Sequence, residues 1–92
     1  MLVSQKMPII IEKYVNILLP LKTYLIDVGV ENDELILYYV EDNTETEYEE
    51  VRLYLLGTNN IVKENISEKR LLGKARLERL GKTFHVYELD RC

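Results

Sequence analysis

Along most of this chain apolar residues recur at every second position. From residue 24 onward, Tyr24, Ile26, Val28 and Val30 fall on one side and Leu25, Asp27, Gly29 and Glu31 on the other. A period of two predicts a half-buried strand. Glu31, Asn32, Asp33 and Glu34 interrupt it with turn-forming residues, and residues 35–40 resume as an unbroken apolar run containing two tyrosines, so a hairpin is expected. A run apolar on both faces reads as a core strand or as a strand at an interface between chains. Residues 41–50 hold no apolar side chain but Tyr48 and are dense in acid, which predicts a solvated loop of about ten residues. A strand over 51–56 follows, closed by a Gly57-Thr58-Asn59-Asn60 turn, because Gly and Asn tolerate the positive φ of a tight reversal.

Residues 61–80 read two ways. Their Lys, Glu, Arg and Leu favour helix, while Gly73 opposes a long one. As a strand, Leu71, Gly73, Ala75 and Leu77 share one face and Leu72, Lys74, Arg76 and Glu78 the other. Strand is the preferred reading, with room for one short helix within 61–72. Leu80, Gly81 and Lys82 then make a turn into a last strand over 83–89. The expected fold is a single domain over 1–92, all-β or β-rich α+β: a small antiparallel sandwich or barrel of five to six strands.

Composition adds that the chain should fold, with 47% hydrophobic and 30% charged residues. Its one cysteine, Cys92, allows neither an internal disulfide nor a multi-cysteine metal site, which suits a reducing compartment. The longest apolar run is far short of the roughly 20 residues of a membrane helix, and nothing at the start resembles a signal peptide. A cytoplasmic protein without a membrane span is therefore expected.

Catalytic chemistry finds no constellation. His85 stands alone among Phe84, Val86 and Tyr87, with no partner to orient it and no nucleophile to serve, so a structural role is expected and a binding role is kept as a candidate. Glu49 and Glu50 do not suggest a glycosidase pair, because neighbours on a strand point to opposite faces. Thr58, Asn59 and Asn60 could offer amides to an anion, but a lone glycine is not a phosphate loop. No enzyme, no cofactor and no metal are expected.

Charge stands out instead. Between residues 23 and 51 there are ten acids and no base, and the formal net charge is −4. Glu45, Glu47, Glu49 and Glu50 could present carboxylates to a macromolecular partner. Residues 69–82 carry six bases against Glu78, so Lys74, Arg76 and Arg79 support an alternative, nucleic-acid binding, which a pI near 5.0 opposes. A small-molecule site around Thr58, Asn59, Asn60 and His85 is a third reading. Because a domain this small buries a modest share of its surface, a homodimer is expected.

From Lys13 onward the order of elements resembles a known pattern. The residues that carry it are the Lys13-Tyr14 opening strand, Leu19-Pro20, the segment from Leu25 to Asn32, Leu35-Ile36-Leu37-Tyr38, Leu56-Gly57-Thr58-Asn59-Asn60, Leu72-Gly73-Lys74-Ala75 and Phe84-His85-Val86-Tyr87-Glu88. They cover roughly 75 of the 92 residues. They resemble an uncharacterised family of small, often phage-encoded domains of unknown function with a Trp/Phe-His-Val-Phe/Tyr-Glu ending. The family's turn reads Gly-Thr-Gly-His where this chain has Gly57-Thr58-Asn59-Asn60, so no role of that histidine carries over. The resemblance implies a β-rich fold and a viral source. Together these readings give a small non-enzymatic binding protein, acting on a host or viral macromolecule in the host cytoplasm.

Overall fold

The computed structural model describes residues 1–91; Cys92, and with it the readings on disulfides and cysteine metal sites, lies outside the described residues. The strands are β1 (Leu2–Pro8), β2 (Tyr14–Pro20), β3 (Tyr24–Glu31), β4 (Glu34–Asp42), β5 (Tyr48–Gly57), β6 (Arg70–Leu77) and β7 (Lys82–Arg91). They form two antiparallel sheets, ordered β1-β4-β3 and β2-β5-β7-β6. Among the described residues the helical content is one 3-10 turn at Ile66–Glu68, within the range where a short helix was expected. The fold is thus the all-β antiparallel class that the alternation predicts. It has seven strands rather than five or six, because residues 2–8 carry too weak an alternation to show as a strand and are held by pairing to β4.

The two sheets share one core. Leu25 and Val28 of β3, Leu35, Leu37 and Tyr39 of β4, Val51, Leu53 and Leu55 of β5, Leu77 of β6 and Val86 of β7 meet between them. Burying each large aliphatic side chain contributes about 1.5–3 kcal/mol. Residues 35–40 therefore lie in a core strand, and Ile36, on its outer face, is also buried within the chain. No partner is needed to cover that run.

Two β-bulges revise the expected faces. In β3 the register against β4 slips between Leu25 and Asp27, so Leu25 and Val28 point inward while Tyr24 and Ile26 are exposed. In β6 it slips between Leu71 and Gly73, so Leu72 is buried and Leu71 is exposed. An inserted residue reverses every side chain beyond it, which a strict period of two does not anticipate.

The acidic stretch is also shorter than expected. β4 runs on to Asp42 and β5 starts at Tyr48, leaving residues 43–47 as the connection. Cross-strand hydrogen bonding extends both strands into polar sequence. Asp42 organises that turn: its Oδ1 accepts from Thr44 Oγ1 at 2.7 Å, Thr44 N–H at 3.0 Å and the N-terminal ammonium at 2.9 Å. These donors hold its carboxyl well below the usual carboxylate range.

Along one side β3 packs against β6. The Arg70 guanidinium lies 4.7 Å from the centre of the Tyr24 ring and donates to the Leu25 carbonyl at 2.6 Å. At the hairpin tip, Asn32 and Asp33 adopt φ of 52° and 57°, as a two-residue hairpin requires. Asp33 then accepts from the Glu78 and Arg79 N–H groups at 2.8 and 3.0 Å, joining this hairpin to the β6–β7 turn. On the opposite side β1 and β2 are the outer strands of their sheets, and the sandwich stays open.

Candidate functional site

The open side presents two unpaired strand edges. In β2, Leu55 N–H donates to the Lys13 carbonyl and Leu21 N–H to the Glu47 carbonyl, both in the register that pairs Val15 with Leu53 and Ile17 with Val51. Hydrogen-bonded pairs alternate in an antiparallel ladder. Odd-numbered residues of β2 therefore direct their backbone groups at β5, and Tyr14, Asn16 and Leu18 direct theirs outward. By the same parity, bonds from Ile9 N–H to Leu35 and from Asn43 N–H to Met1 leave Leu2, Ser4 and Lys6 outward in β1. Pro8 and Pro20, the two prolines, both fall on outward positions, where a missing N–H interrupts no ladder bond.

The two edges differ in side chains. β1 carries Lys6, whose ammonium sits 2.6 Å from Glu31 Oε1. Tyr38 donates to the other oxygen of Glu31 at 2.6 Å. The Lys6 hydrogen bond first and the Tyr38 bond second pull the Glu31 carboxyl below its ordinary range, and the same bond raises the Tyr38 phenol. Residues 14–21, by contrast, contain no charged side chain. Leu18 is 68% exposed on the outer face of β2, and a groove of about 300 Å³ between residues 7–10 and 15–18 runs along this edge. Natural sheets blunt such edges with charge, bulges or cover. Here Tyr14 supports the strand from the outer face: its ring lies 5.4 Å from Tyr54, the Arg52 guanidinium stacks 4.5 Å over it, and Tyr54 is 6.5 Å from Tyr87. Residues 61–65 cross above this row, with Lys63 N–H donating to the Tyr54 hydroxyl at 3.1 Å. Burial, and then nearby Glu64, push the Tyr14 phenol up.

The candidate residues from the sequence do not gather at one place. Glu45 folds back to accept from Thr46 and Glu47 N–H, while Glu47 and Glu50 are exposed. Glu49 points inward instead of into a loop. Arg91 reaches it at 3.1 Å, grips Glu88 at 2.9 Å and donates to the Thr23 carbonyl, and these carboxylates, Glu88 first, raise the Arg91 pKa. Of the bases, Arg76 holds Glu78 at 3.2 Å and Arg79 holds Asp33 at 3.6 Å, whereas Lys74, which forms no ion pair among the described residues, lies on the outer face beside His85. His85 lies on central strand β7 between Leu56 and Lys74, away from any sheet edge. Thr58 is pinned to Thr83, Asn59 takes φ 69°, and Asn60 accepts from Lys82. Of these residues, Asn60 and Arg79 each line a cavity, at different places.

The edge residues Tyr14, Asn16 and Leu18 were not singled out by the sequence reading. Their signal was a charge-free octad ending near a proline, beside a chain otherwise rich in charge. Chemically the edge offers a row of unpaired amides and carbonyls over an apolar groove. Among the described residues no three His, Cys, Asp or Glu side chains cluster as a metal site, and no helix is long and apolar enough to cross a membrane.

In comparison with known proteins, the model of the family described as Domain of unknown function (DUF7352) matches residues 1–91. No curated protein and no solved structure matches the chain.

Proposed function

This chain belongs to that family of unknown function, and from this premise we propose that it is a non-catalytic binding module whose contact surface is the free edge of β2, occupied by an added strand. The observation that carries the reading is a seven-residue edge with neither charge nor bulge, its outward amides unpaired beside the exposed Leu18. Strand addition draws affinity from main-chain hydrogen bonds and specificity from alternate side chains.

A second copy of the chain is the occupant these residues match. In an isologous contact each residue meets its own set across a two-fold axis, so a charge-free strand brings no like charges together. With the axis at Asn16, the outward N–H and C=O groups of Tyr14, Asn16 and Leu18 all pair. Leu18 then packs on the partner's Tyr14, and Val15 faces the partner's Ile17. The viral setting and host cytoplasm are part of the proposal and rest on the family resemblance. The nucleic-acid alternative has less support, since Arg76 and Arg79 already hold carboxylates.

Sedimentation equilibrium tests the reading. The wild-type chain should approach twice its 10.9 kDa mass with rising concentration. Leu18→Lys should remain monomeric with its stability changed by less than about 0.5 kcal/mol, as for an exposed site. A wild-type monomer at all concentrations, or an undiminished Leu18→Lys dimer, would overturn it.

A further inference from the structure

We propose that the end of the sandwich carrying the 9–13, 57–60 and 78–82 connections holds a separate binding site for a small organic monoanion, a carboxylate on a compact apolar body. A cavity of about 280 Å³ opens there. Its floor is Leu55 and the Phe84 ring, both buried, with Leu80 beside them. Lys13, Lys82 and Asn60 line the cavity with Glu12.

The polar wall is built rather than incidental. Asn59 turns the chain through φ 69°, and Asn60 N–H closes the turn on the Gly57 carbonyl at 3.0 Å. Gly57 has no side chain, and a Cβ there would stand 2.9 Å from Phe84 Cε1 and 3.2 Å from Asn60 Nδ2. That vacancy lets the amide lie against the aromatic floor. Lys82 Nζ then donates to Asn60 Oδ1 at 3.2 Å, which fixes the amide orientation and leaves its nitrogen as the donor. Among the described residues neither Lys13 nor Lys82 forms an ion pair, whereas Arg70, Arg76, Arg79 and Arg91 all do.

The lining residues set the ligand class. Two ammonium groups against the one Glu12 carboxylate leave a single net positive charge, which suits a monoanion better than a phosphate dianion. At ~30 Å³ per water the volume equals about nine waters, enough for a body of roughly ten non-hydrogen atoms. An apolar floor with few convergent polar groups is the usual make-up of such sites.

Phenylacetate is a suitable probe, with its neutral amide, phenylacetamide, as the control. In heteronuclear NMR titrations phenylacetate should saturably shift the Asn60 side-chain amide and the Leu55 and Leu80 methyls. Saturation should come by about 10 mM, since ligands this small bind near ~1 mM. Phenylacetamide should bind about fivefold more weakly, and the preference should vanish in Lys13→Met/Lys82→Met; Lys13 is exposed and Lys82 half-buried, and neither forms an ion pair among the described residues, so the fold should stay intact. Leu18→Lys, which tests the β2 edge, should leave the titration unchanged. No saturable shift at these residues, equal affinity for the amide, or a preference that survives the double variant would overturn the proposal.

Discussion

Gly73 is required by its neighbours. It faces the core at the β6 bulge, and a Cβ there would overlap Asp27 Oδ1 and press on Val28 Cγ2 at 3.2 Å. Asp27 in turn accepts from Val28 N–H at 2.8 Å, so each bulge supports the other. Gly73→Ala should lose about 1–3 kcal/mol in denaturant unfolding, the usual penalty of overpacking. Adding Asp27→Ala should return part of that loss, a coupling that double-mutant analysis would expose. Arg91 is the other residue with several dependants. With side-chain exposures of 15% for Glu49 and 17% for Glu88, Arg91→Met leaves the inward Glu49 without its ion-pair partner and Glu88 with Arg70 alone, at 3.5 Å. The expected loss is about 2 kcal/mol, below the 3–5 kcal/mol of a fully buried pair. Glu49→Gln should destabilise, whereas Glu47→Gln and Glu50→Gln should change stability by less than about 0.5 kcal/mol. These roles were invisible in the sequence, because Glu49 and Arg91 meet only through a fold that joins positions 42 residues apart. Composition gave all four glutamates of that stretch the same standing.

Strands and turns were more legible than side-chain partners, because periodicity and turn chemistry are local. The β3–β4 hairpin, the Gly57 turn and the β6–β7 turn all fall where turn-forming residues cluster. The face of each strand was less legible. Ile26 and Leu72, the residues at which β3 and β6 slip register, are themselves apolar, so the pattern runs on past both bulges without a mark. Strand β1 was missed because an edge strand with one exposed face needs little hydrophobic alternation, and two carboxylates pin it instead. Lys6 pairs with Glu31, and the N-terminal ammonium with Asp42. Both carboxyls titrate below their ordinary values. Their stabilisation is therefore complete above about pH 4.3 and is lost as pH falls through the depressed folded values. Amide exchange measured down an acid series should show Val3, Gln5 and Met7 losing protection before β4 and β5 do. Simultaneous loss would mean that the two pairs do not anchor β1.

At the scale of the molecule, shape and edge go together. The radius of gyration is 13.3 Å against about 12 Å for a compact chain of this length, and the thinnest dimension is 17 Å. A flat, slightly elongated sandwich has long edges for its core, and only one of its two sides is closed, by β3 against β6. Charge is distributed so that like charges gather in the 43–47 connection and at the β5 start, while β2 is left neutral. If two copies meet, the neutral edge is where they can approach, and joining there would extend the four-stranded sheet to eight strands. The most direct measurement is residue-resolved amide hydrogen exchange along β2 in dilute and in concentrated solution. Val15, Ile17 and Leu19 should be protected in both. Tyr14, Asn16 and Leu18 should exchange freely when dilute and become protected when concentrated, in step with sedimentation mass. Protection of the even-numbered set at high dilution, or free exchange of that set in a sample whose mass has doubled, would contradict strand addition at this edge.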